Sequence, residues 1–270
     1  MPELPEVETI ARGLARSLPG KTIRRVHVFL RKMAVAPPGL DFASEVAGER
    51  ITGVGRRGKY ALIGLKSGRK LVVSLRMTGR LVVLAEHEPP YPYGHVVLEF
   101  ADKSRLVFAD TRQFGRMRLV EPGEAWDCAL GPEPLSGDFT PDRFIGMLSG
   151  RTTPIKVLLL DQRRVAGIGN IYACEALWTA GIRPGKPAKS LSKPAIRRLH
   201  HALVDVLGRA VDLRGSSVDD YVDAEGLKGG FQNVLSVYGR SGEKCPRCGG
   251  TIVRTVIAQR GTWWCRRCQK

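Results

Sequence analysis

Apolar residues near the start of the chain follow helical periodicity. The i, i+3, i+4 spacing of one helix face is occupied by Val7, Ile10, Ala11, Leu14 and Leu18. Pro5 stands where proline is favoured in a first turn, and Pro19 with Gly20 forms a stop signal. The pattern predicts an amphipathic helix over residues 5 to 18.

The hydrophobic pattern then changes to short runs of Val, Ile, Leu and Phe between turn residues, up to about residue 120. Ser67-Gly68 and Asp102-Lys103-Ser104 have the composition of hairpin turns. Many closely spaced strands favour an antiparallel sandwich or barrel over a parallel α/β fold. The predicted strands include residues 25–30, 60–65, 71–75, 81–84, 96–100 and 105–108.

Residues 131–138 are rich in proline and glycine and mark a domain boundary. Beyond them, helical periodicity predicts helices over 142–148, 155–160, 171–180 and 194–213, while 214–233 has the composition of a mobile loop. A compact cysteine-containing module ends the chain. We therefore predict an α+β multidomain protein with domains 1–130, 131–240 and 241–270.

The net charge of the chain indicates what class of molecule the protein binds. The formal net charge is +17 over 270 residues, whereas solubility of a small domain needs a magnitude of only about 2 to 8. A polyanion such as nucleic acid is the first explanation, although a ribosomal or membrane-surface partner would produce the same excess.

The first residues do not resemble a targeting segment. They are acidic and punctuated by Pro2 and Pro5, unlike the basic and apolar regions of a signal peptide. Aliphatic runs such as 157–160 are far shorter than the roughly 20 residues that span a bilayer. We expect a cytoplasmic protein that does not bind membranes.

Cysteine spacing predicts a metal site. The pattern Cys245-x2-Cys248-x16-Cys265-x2-Cys268 can bring four thiolates around one structural Zn²⁺. Two disulfides are the alternative, and a cytosolic setting disfavours them. A site with four protein ligands has no open position, so the zinc would not activate water. Cys128 and Cys174 stand apart and are expected to be buried.

The segment between the cysteine pairs can form a hairpin. Residues 251–257 can pair with residues 262–264 as two strands, with 258–261 at the tip and Arg260 pointing outward. A surface arginine can be merely solvated, but on a metal-anchored hairpin of a basic protein it fits a phosphate contact.

Several motifs, taken in order, resemble the formamidopyrimidine-DNA glycosylase family over essentially the whole chain. Besides the cysteine pattern, they are Pro2-Glu3-Leu4-Pro5-Glu6, Gly58-Lys59-Tyr60, Arg76-Met77-Thr78-Gly79, Asp110-Thr111-Arg112-Gln113-Phe114-Gly115, Gly131-Pro132-Glu133-Pro134-Leu135, Gly167-Ile168-Gly169-Asn170-Ile171-Tyr172 and Val237-Tyr238-Gly239-Arg240. Ser74 stands where some members carry histidine.

The resemblance implies an N-terminal β-sandwich, a helix-two-turn-helix domain and a zinc finger, with DNA in the cleft between domains. It implies removal of oxidised purines, such as 8-oxoguanine and formamidopyrimidines, from double-stranded DNA, followed by β- and δ-elimination at the abasic site. One duplex per chain makes a monomer the simplest expectation.

Pro2 carries the expected chemistry. Removal of Met1 would expose a secondary amine, and its attack on the sugar C1′ would produce an iminium, which is an electron sink for elimination. The amine must be unprotonated to attack, and nearby cations favour that form. For an arbitrary protein, Pro2 and Pro5 would simply mark a helix start.

The resemblance assigns roles to four more residues. Glu3 is implied as the general acid that protonates the ribose ring oxygen, and Lys59 as an aid to elimination. Glu6 is implied as a carboxylate that shuttles protons or orients the amine, although it would equally suit the helix dipole. Arg260 is implied both in the catalytic set and as a phosphate contact.

DNA contacts are likewise implied. Met77, Arg112 and Phe114 match a wedge that fills the space of a flipped nucleotide, although Met77 and Phe114 alone would be interpreted as core residues. Phosphate contacts are implied for Lys156, Asn170 and Arg260, and further DNA contacts for His95, Arg112 and Arg151. The loop 216–230 matches the segment that closes over the flipped base.

Two other functions remain open. One is an enzyme of the endonuclease VIII type, which prefers oxidised pyrimidines; the motif around Arg112 and Phe114 favours the purine enzyme. The other is a zinc-ribbon DNA-binding protein without catalysis, for which the charge and cysteines suffice. Pro2-Glu3 separates an enzyme from a binder, because a binder has no use for an N-terminal secondary amine.

Overall fold

A computed structural model describes residues 1–218 and 221–270. The chain forms two compact units, and both are discontinuous in sequence. Unit 1 comprises residues 1–128 and 213–230, and unit 2 comprises residues 129–212 and 231–270. The segment 213–230, which lies inside the second predicted domain, thus belongs with the first unit.

Unit 1 begins with helix α1, Leu4–Ser17. Its apolar face is fully buried at Val7, Leu14 and neighbouring positions. The helix ends because Pro19 has no amide hydrogen and Gly20 adopts a positive φ of 87°. The amphipathic spacing is therefore satisfied by one-sided burial, as the periodicity predicts.

The strands of unit 1 form two sheets. A four-stranded antiparallel sheet has the order β1-β7-β8-β6, and a five-stranded sheet has the order β2-β9-β5-β4-β3. A short helix, α2, spans Phe42–Val46. The strand bounds are β1 Ile23–Val28, β2 Ala34–Val35, β3 Ile51–Arg57, β4 Tyr60–Leu65, β5 Lys70–Ser74, β6 Gly79–Leu84, β7 Gly94–Phe100, β8 Arg105–Asp110 and β9 Arg116–Val120.

One hydrophobic core lies between the sheets and α1. It takes Phe100 and Phe108 from the first sheet, Ile63 and Val73 from the second, and Leu14 from the helix. The N-terminal sandwich and the α+β class are therefore confirmed. Pairing is antiparallel except between β2 and β9, which run parallel.

The segment 213–230 packs onto unit 1, although its composition is that of a mobile loop. Tyr221 and Ala224 enter the core of unit 1, and Gly230 N–H donates to Leu213 O at 2.8 Å. Asp223, which is 2% exposed, pairs with Arg214. Isolated apolar residues, rather than a periodic pattern, hold this segment; residues 219 and 220 of the predicted loop lie outside the described residues.

Unit 2 contains four helices in the part of the chain that the structure describes: α3 Pro141–Leu148, α4 Ile155–Leu160, α5 Asn170–Ala180 and α6 Lys193–Asp212. The longest, α6, packs on α3 and α5. Helix α5 is buried on nearly all sides and ends at Gly181, whose φ of 71° suits glycine. The four predicted helices therefore exist, and no bound is shifted by more than one residue.

The last element is a two-stranded hairpin, β10 Ile252–Ile257 with β11 Arg260–Cys265. Its tip is the two-residue turn Ala258-Gln259, shorter than the predicted tip 258–261. Both tip residues have positive φ, at 46° and 60°, as a type I′ turn requires. Arg260 is therefore the first residue of a strand.

None of the helices in the described ranges, 1–218 and 221–270, has the length and apolar character needed to cross a membrane.

A close backbone approach at Gly131 yields a stability prediction. A Cβ there would lie 2.4 Å from Arg164 O, whereas a Cβ at Gly137 would meet nothing within 4 Å. We expect Gly131→Ala to lower the free energy of unfolding by about 1–3 kcal/mol, measured by urea denaturation. Gly137→Ala is the matched control, and equal effects of the two changes would contradict the explanation.

Candidate active site and zinc centre

The amino-terminal turn is organised by the carboxylate of Glu6, which is 2% exposed. Glu3 N–H donates to Glu6 Oε2 at 2.7 Å, and Ser216 N–H donates to Glu6 Oε1 at 2.8 Å. The hydroxyl of Tyr221 donates to the carbonyl of Glu6 at 3.3 Å. Glu6 thus joins the start of α1 to the segment 213–230, which goes beyond a helix-dipole contact.

Pro2 and Glu3 are both buried at this turn. The residue before Pro2 is Met1, so the Pro2 nitrogen belongs to a peptide bond until Met1 is removed. Glu6 has both carboxylate oxygens engaged by backbone amides, which suits orienting the first residues. These two bonds fix the backbone at Glu3 relative to the first turn of α1.

Lys59 lies in the two-residue turn between β3 and β4, where Arg57 pairs with Tyr60. Gly58 supplies the positive φ, 57°, that the first position of such a turn can require. The guanidinium of Arg56 donates to Gly58 O at 2.9 Å and to Glu8 Oε2 at 2.8 Å. Because Glu8 is on α1, this ion pair ties the Lys59 turn to the helix that follows Pro2.

Glu8 has a lowered pKa. Burial alone would raise the pKa of this carboxyl, but hydrogen bonds from Arg56 and Arg12 outweigh burial and hold the pKa below its ordinary value. Sequence reasoning missed Glu8 and Arg56, because a carboxylate on an amphipathic helix has many possible partners.

The three expected wedge residues lie together on the surface of unit 1. Met77, in the β5–β6 turn, is 44% exposed, and Phe114, in the β8–β9 turn, is 51% exposed. The Arg112 guanidinium donates to Met77 Sδ at 3.0 Å and lies 5.0 Å from the Phe114 ring centroid. Exposure of both apolar side chains excludes the alternative that they are core residues.

His95 is half-buried on β7, and its Nε2 lies 3.0 Å from the backbone oxygen of Asp110. The carboxylate of Asp110 is 1% exposed and contacts both turns that carry the wedge residues. The motif from Asp110 to Gly115 was recognised in the sequence, but no role for Asp110 could be inferred from it.

Lys156 occupies a different environment from the expected phosphate contact. It is fully buried, and its ammonium donates to Thr262 Oγ1 at 2.7 Å and to Gly261 O at 3.0 Å. The Thr262 hydroxyl donates in turn to Arg260 O at 3.0 Å. A buried ammonium needs such partners, so Lys156 connects α4 to the strand that begins at Arg260 and does not lie on the surface.

The other expected contacts of unit 2 are more accessible. Asn170 begins α5, and its side-chain amide donates to Gly261 O at 3.0 Å. Arg260 and Arg151 are exposed, the latter in the turn after α3. Asn170 and Lys156 therefore meet at the same carbonyl, next to Arg260.

The four predicted zinc ligands converge. Their sulfur atoms all lie within 4.8 Å of one another, with Cys245 3.8 Å from Cys268 and Cys248 3.5 Å from Cys265. A tetrahedron with Zn–S bonds of about 2.3 Å has S···S edges of about 3.8 Å, so the site fits one structural zinc. Disulfides would need sulfurs about 2.0 Å apart.

Neighbouring groups favour the thiolate form of Cys245, whereas burial raises the pKa of Cys265 and of Cys268. Although burial raises the pKa of Cys245, a hydrogen bond from the Trp178 indole at 3.4 Å and backbone amides lower it to about 6. Cys174 is buried as expected. The prediction for Cys128 is wrong, because it lies exposed in a turn after β9.

Glu175 is a further residue that sequence reasoning missed. Its buried carboxylate accepts backbone N–H groups of Ser236, Val237 and Tyr238 at 2.8–2.9 Å, which anchors the segment leading to the hairpin. A single charged residue in the otherwise apolar helix α5 was the available signal.

Together, the fold and the thiolate cluster define a multidomain zinc-finger protein. Three family models match in succession: the formamidopyrimidine-DNA glycosylase N-terminal domain over residues 1–117, the H2TH domain of the same glycosylase over 130–222, and the zinc finger found in FPG and IleRS over 242–270. The chain belongs to the formamidopyrimidine-DNA glycosylase family.

Individual relatives match over nearly their whole length. The formamidopyrimidine-DNA glycosylase of Chloroflexus aggregans is 47% identical over 271 residues, covering 100% of this chain and 98% of that protein. The MutM (Fpg) protein of Thermus thermophilus is 42% identical with a TM-score of 0.89, covering 99% of this chain and 98% of that one. A Lactococcus lactis Fpg mutant in complex with Fapy-dG DNA is 37% identical with a TM-score of 0.93, covering 100% of both chains.

The Glu8–Arg56 pair predicts a pH dependence of stability. A carboxyl whose pKa is depressed by folding stabilises the protein above its unfolded pKa, and the stabilisation disappears as pH falls through the folded pKa. Glu8→Gln should therefore cost about 1 kcal/mol at neutral pH, and the cost should vanish as pH falls through the folded pKa, which lies below the ordinary value of 4.5. Denaturant titrations across pH measure this difference. A cost that is the same at neutral and acid pH would exclude the ion pair as its cause.

The zinc site predicts one zinc per chain, measured by metal analysis. Cys248→Ser should lose most of the zinc and the ordered hairpin, because the binding energy of a structural site is also folding energy. Cys128→Ser is the matched control, since that thiol lies outside the cluster. Equal zinc content in both variants would contradict the ligand assignment.

Proposed function

We propose that this protein is a base-excision repair DNA glycosylase with an AP lyase activity. Its proposed substrates are oxidised purines, such as 8-oxoguanine and formamidopyrimidines, in duplex DNA. The observation that carries the proposal is the buried amino-terminal turn, in which Glu6 holds Glu3 and therefore Pro2 in a defined place. Structures of the Lactococcus lactis protein with Fapy-dG DNA and with abasic-site DNA support the substrate class.

The reaction begins with the Pro2 nitrogen, once Met1 has been removed. The amine attacks C1′ of the damaged nucleotide, the bond from C1′ to the base breaks, and the base leaves with the bonding electron pair and a proton. Glu3 then protonates the ribose ring oxygen as its bond to C1′ breaks, which produces a cationic iminium. Glu6 orients these residues through the backbone of Glu3.

The iminium supplies the electron sink for strand cleavage. Loss of a C2′ proton expels the 3′ phosphate in β-elimination, and loss of a C4′ proton expels the 5′ phosphate in δ-elimination. Lys59, on its turn tied to α1, assists the elimination steps, and Arg260 stabilises the departing phosphate. Cys245, Cys248, Cys265 and Cys268 would hold one zinc ion, which would fix the hairpin that carries Arg260 and would supply no chemistry to the reaction.

DNA is held by two sets of side chains. On unit 1, Met77, Arg112 and Phe114 form the wedge that replaces the flipped nucleotide, with His95 beside them. On unit 2, the phosphate contacts are Arg151, Asn170 and Arg260. Lys156 contributes through its buried bonds to the hairpin, since its ammonium is not at the surface.

We place the catalytic domain at residues 1–130, the helix-two-turn-helix domain at 131–240 and the zinc finger at 241–270. The segment within 216–230 would close over the flipped base. The protein would act as a cytoplasmic monomer without membrane contact, since one duplex per chain satisfies the chemistry.

Trapping with borohydride tests the proposal. We expect the protein, with Met1 absent by intact-mass analysis, to form a reduced covalent adduct with a duplex containing 8-oxoguanine, mapped to Pro2. Pro2→Leu should prevent removal of Met1, so that the nitrogen at position 2 stays in a peptide bond and trapping falls by about 10²-fold or more. Pro5→Ala, in the same helix turn, should trap as the unchanged protein does.

Three outcomes would overturn parts of the proposal. Tight binding without any adduct would indicate a DNA-binding protein without catalysis. Retained Met1 on active protein would exclude Pro2 as the nucleophile. Faster excision from a duplex with an oxidised pyrimidine than from one with 8-oxoguanine would reverse the proposed substrate preference. The pyrimidine duplex is included because a structure of the Lactococcus lactis protein contains oxidised pyrimidine DNA.

A further inference from the structure

Asp110, at the end of β8, is a buried carboxylate to which the catalytic proposal assigns no role. It is 1% exposed, and a buried carboxylate is tolerated only when hydrogen bonds replace water. Its Oδ1 accepts the hydroxyl of Thr78 and the N–H of Arg112, the latter at 3.1 Å. Its Oδ2 accepts the N–H of Gly115 at 2.7 Å.

These donors come from two turns that are separate in sequence. Thr78 belongs to the β5–β6 turn, which carries Met77, while Arg112 and Gly115 belong to the β8–β9 turn, which carries Phe114. The Arg112 N–H is also within 3.2 Å of the Thr78 hydroxyl oxygen. One buried carboxylate and one hydroxyl therefore connect the two turns.

Both turns hold conformations that need support. Arg76 and Gln113 adopt positive φ values of 56° and 59°, which side chains other than glycine disfavour. At Gly115, a Cβ would lie 2.6 Å from the Phe108 ring and 3.1 Å from Asp110 Oδ2. The bonds to Asp110 thus offset strain in both turns, and the close approach of Phe108 and Asp110 requires glycine at position 115.

We propose that Asp110 and Thr78 are positioning residues that hold Met77, Arg112 and Phe114 in their wedge arrangement before DNA is bound. This inference rests on the proposed function, because it takes these three side chains as the wedge. Without the carboxylate, the two turns must be ordered during DNA binding, so nucleotide flipping slows. Attack by Pro2 on a sugar that is already accessible does not depend on Asp110.

The test separates flipping from chemistry. Asp110→Asn keeps the shape of the side chain but loses an acceptor, Thr78→Val removes only the hydroxyl, and Thr78→Ser restores it. Flipping is followed in single turnover by the fluorescence of 2-aminopurine next to 8-oxoguanine in a duplex. Chemistry is followed by borohydride trapping on a single-stranded oligonucleotide with an abasic site.

We expect Asp110→Asn and Thr78→Val to slow the fluorescence change by about 10- to 100-fold, with Thr78→Ser close to the unchanged protein. Single-stranded trapping should stay within about twofold for all variants, because it needs no wedge. Asp102→Asn is the matched control, since it makes the same chemical change in the turn at the other end of the β7–β8 hairpin.

Two results would overturn the inference: unchanged flipping in both Asp110→Asn and Thr78→Val, or an equal loss of flipping and single-stranded trapping. The proposed function fails in a different way, through absence of both signals in the unchanged protein. Thermal melts accompany each variant, and if Asp110→Asn does not fold, Thr78→Val carries the test alone.

Discussion

The carboxylate of Glu6 is the constraint on which the amino terminus depends. It lies in the first turn of α1, fully engaged by the amides of Glu3 and Ser216. A Cβ at position 215 would lie 2.7 Å from a carboxylate oxygen of Glu6, so glycine is required there. Gly215 also has a φ of 79°, which glycine adopts readily. Because of this clamp, a segment more than two hundred positions away completes the unit that contains Pro2.

Three other buried charges are bonded in the same way as Glu6. Asp110 bonds the two turns that carry Met77 and Phe114, Lys156 bonds the strand that begins at Arg260, and Glu175 bonds the segment leading to the hairpin. Each is a buried charge whose partners are mostly backbone groups or hydroxyls. Such bonds are costly to leave unmade, so they specify one arrangement of the loops that they join.

Sequence reasoning succeeded where the signal was local. It found α1, the four helices of unit 2, most strands of the sandwich, and the four cysteines. The strands named from the pattern did not include β2, β3 or β9; in β3, Gly53 and Gly55 alternate with other residues and two arginines end the strand, so that no apolar alternation is visible. Sequence reasoning also predicted a mobile loop over 214–233, because Tyr221 and Ala224 are too few to form a period.

Helical and strand periodicity, thiolate spacing and the order of motifs are properties of neighbouring residues, so the sequence alone determined the α+β class, the zinc ligands and the family. The placement of Lys156 inside unit 2, and the partners of Glu6 and Asp110, were decided by tertiary structure. Those bonds join residues separated by 106, 210 and 32 positions. No local pattern encodes which distant amide or hydroxyl will meet a given charge, because that depends on how the whole chain packs.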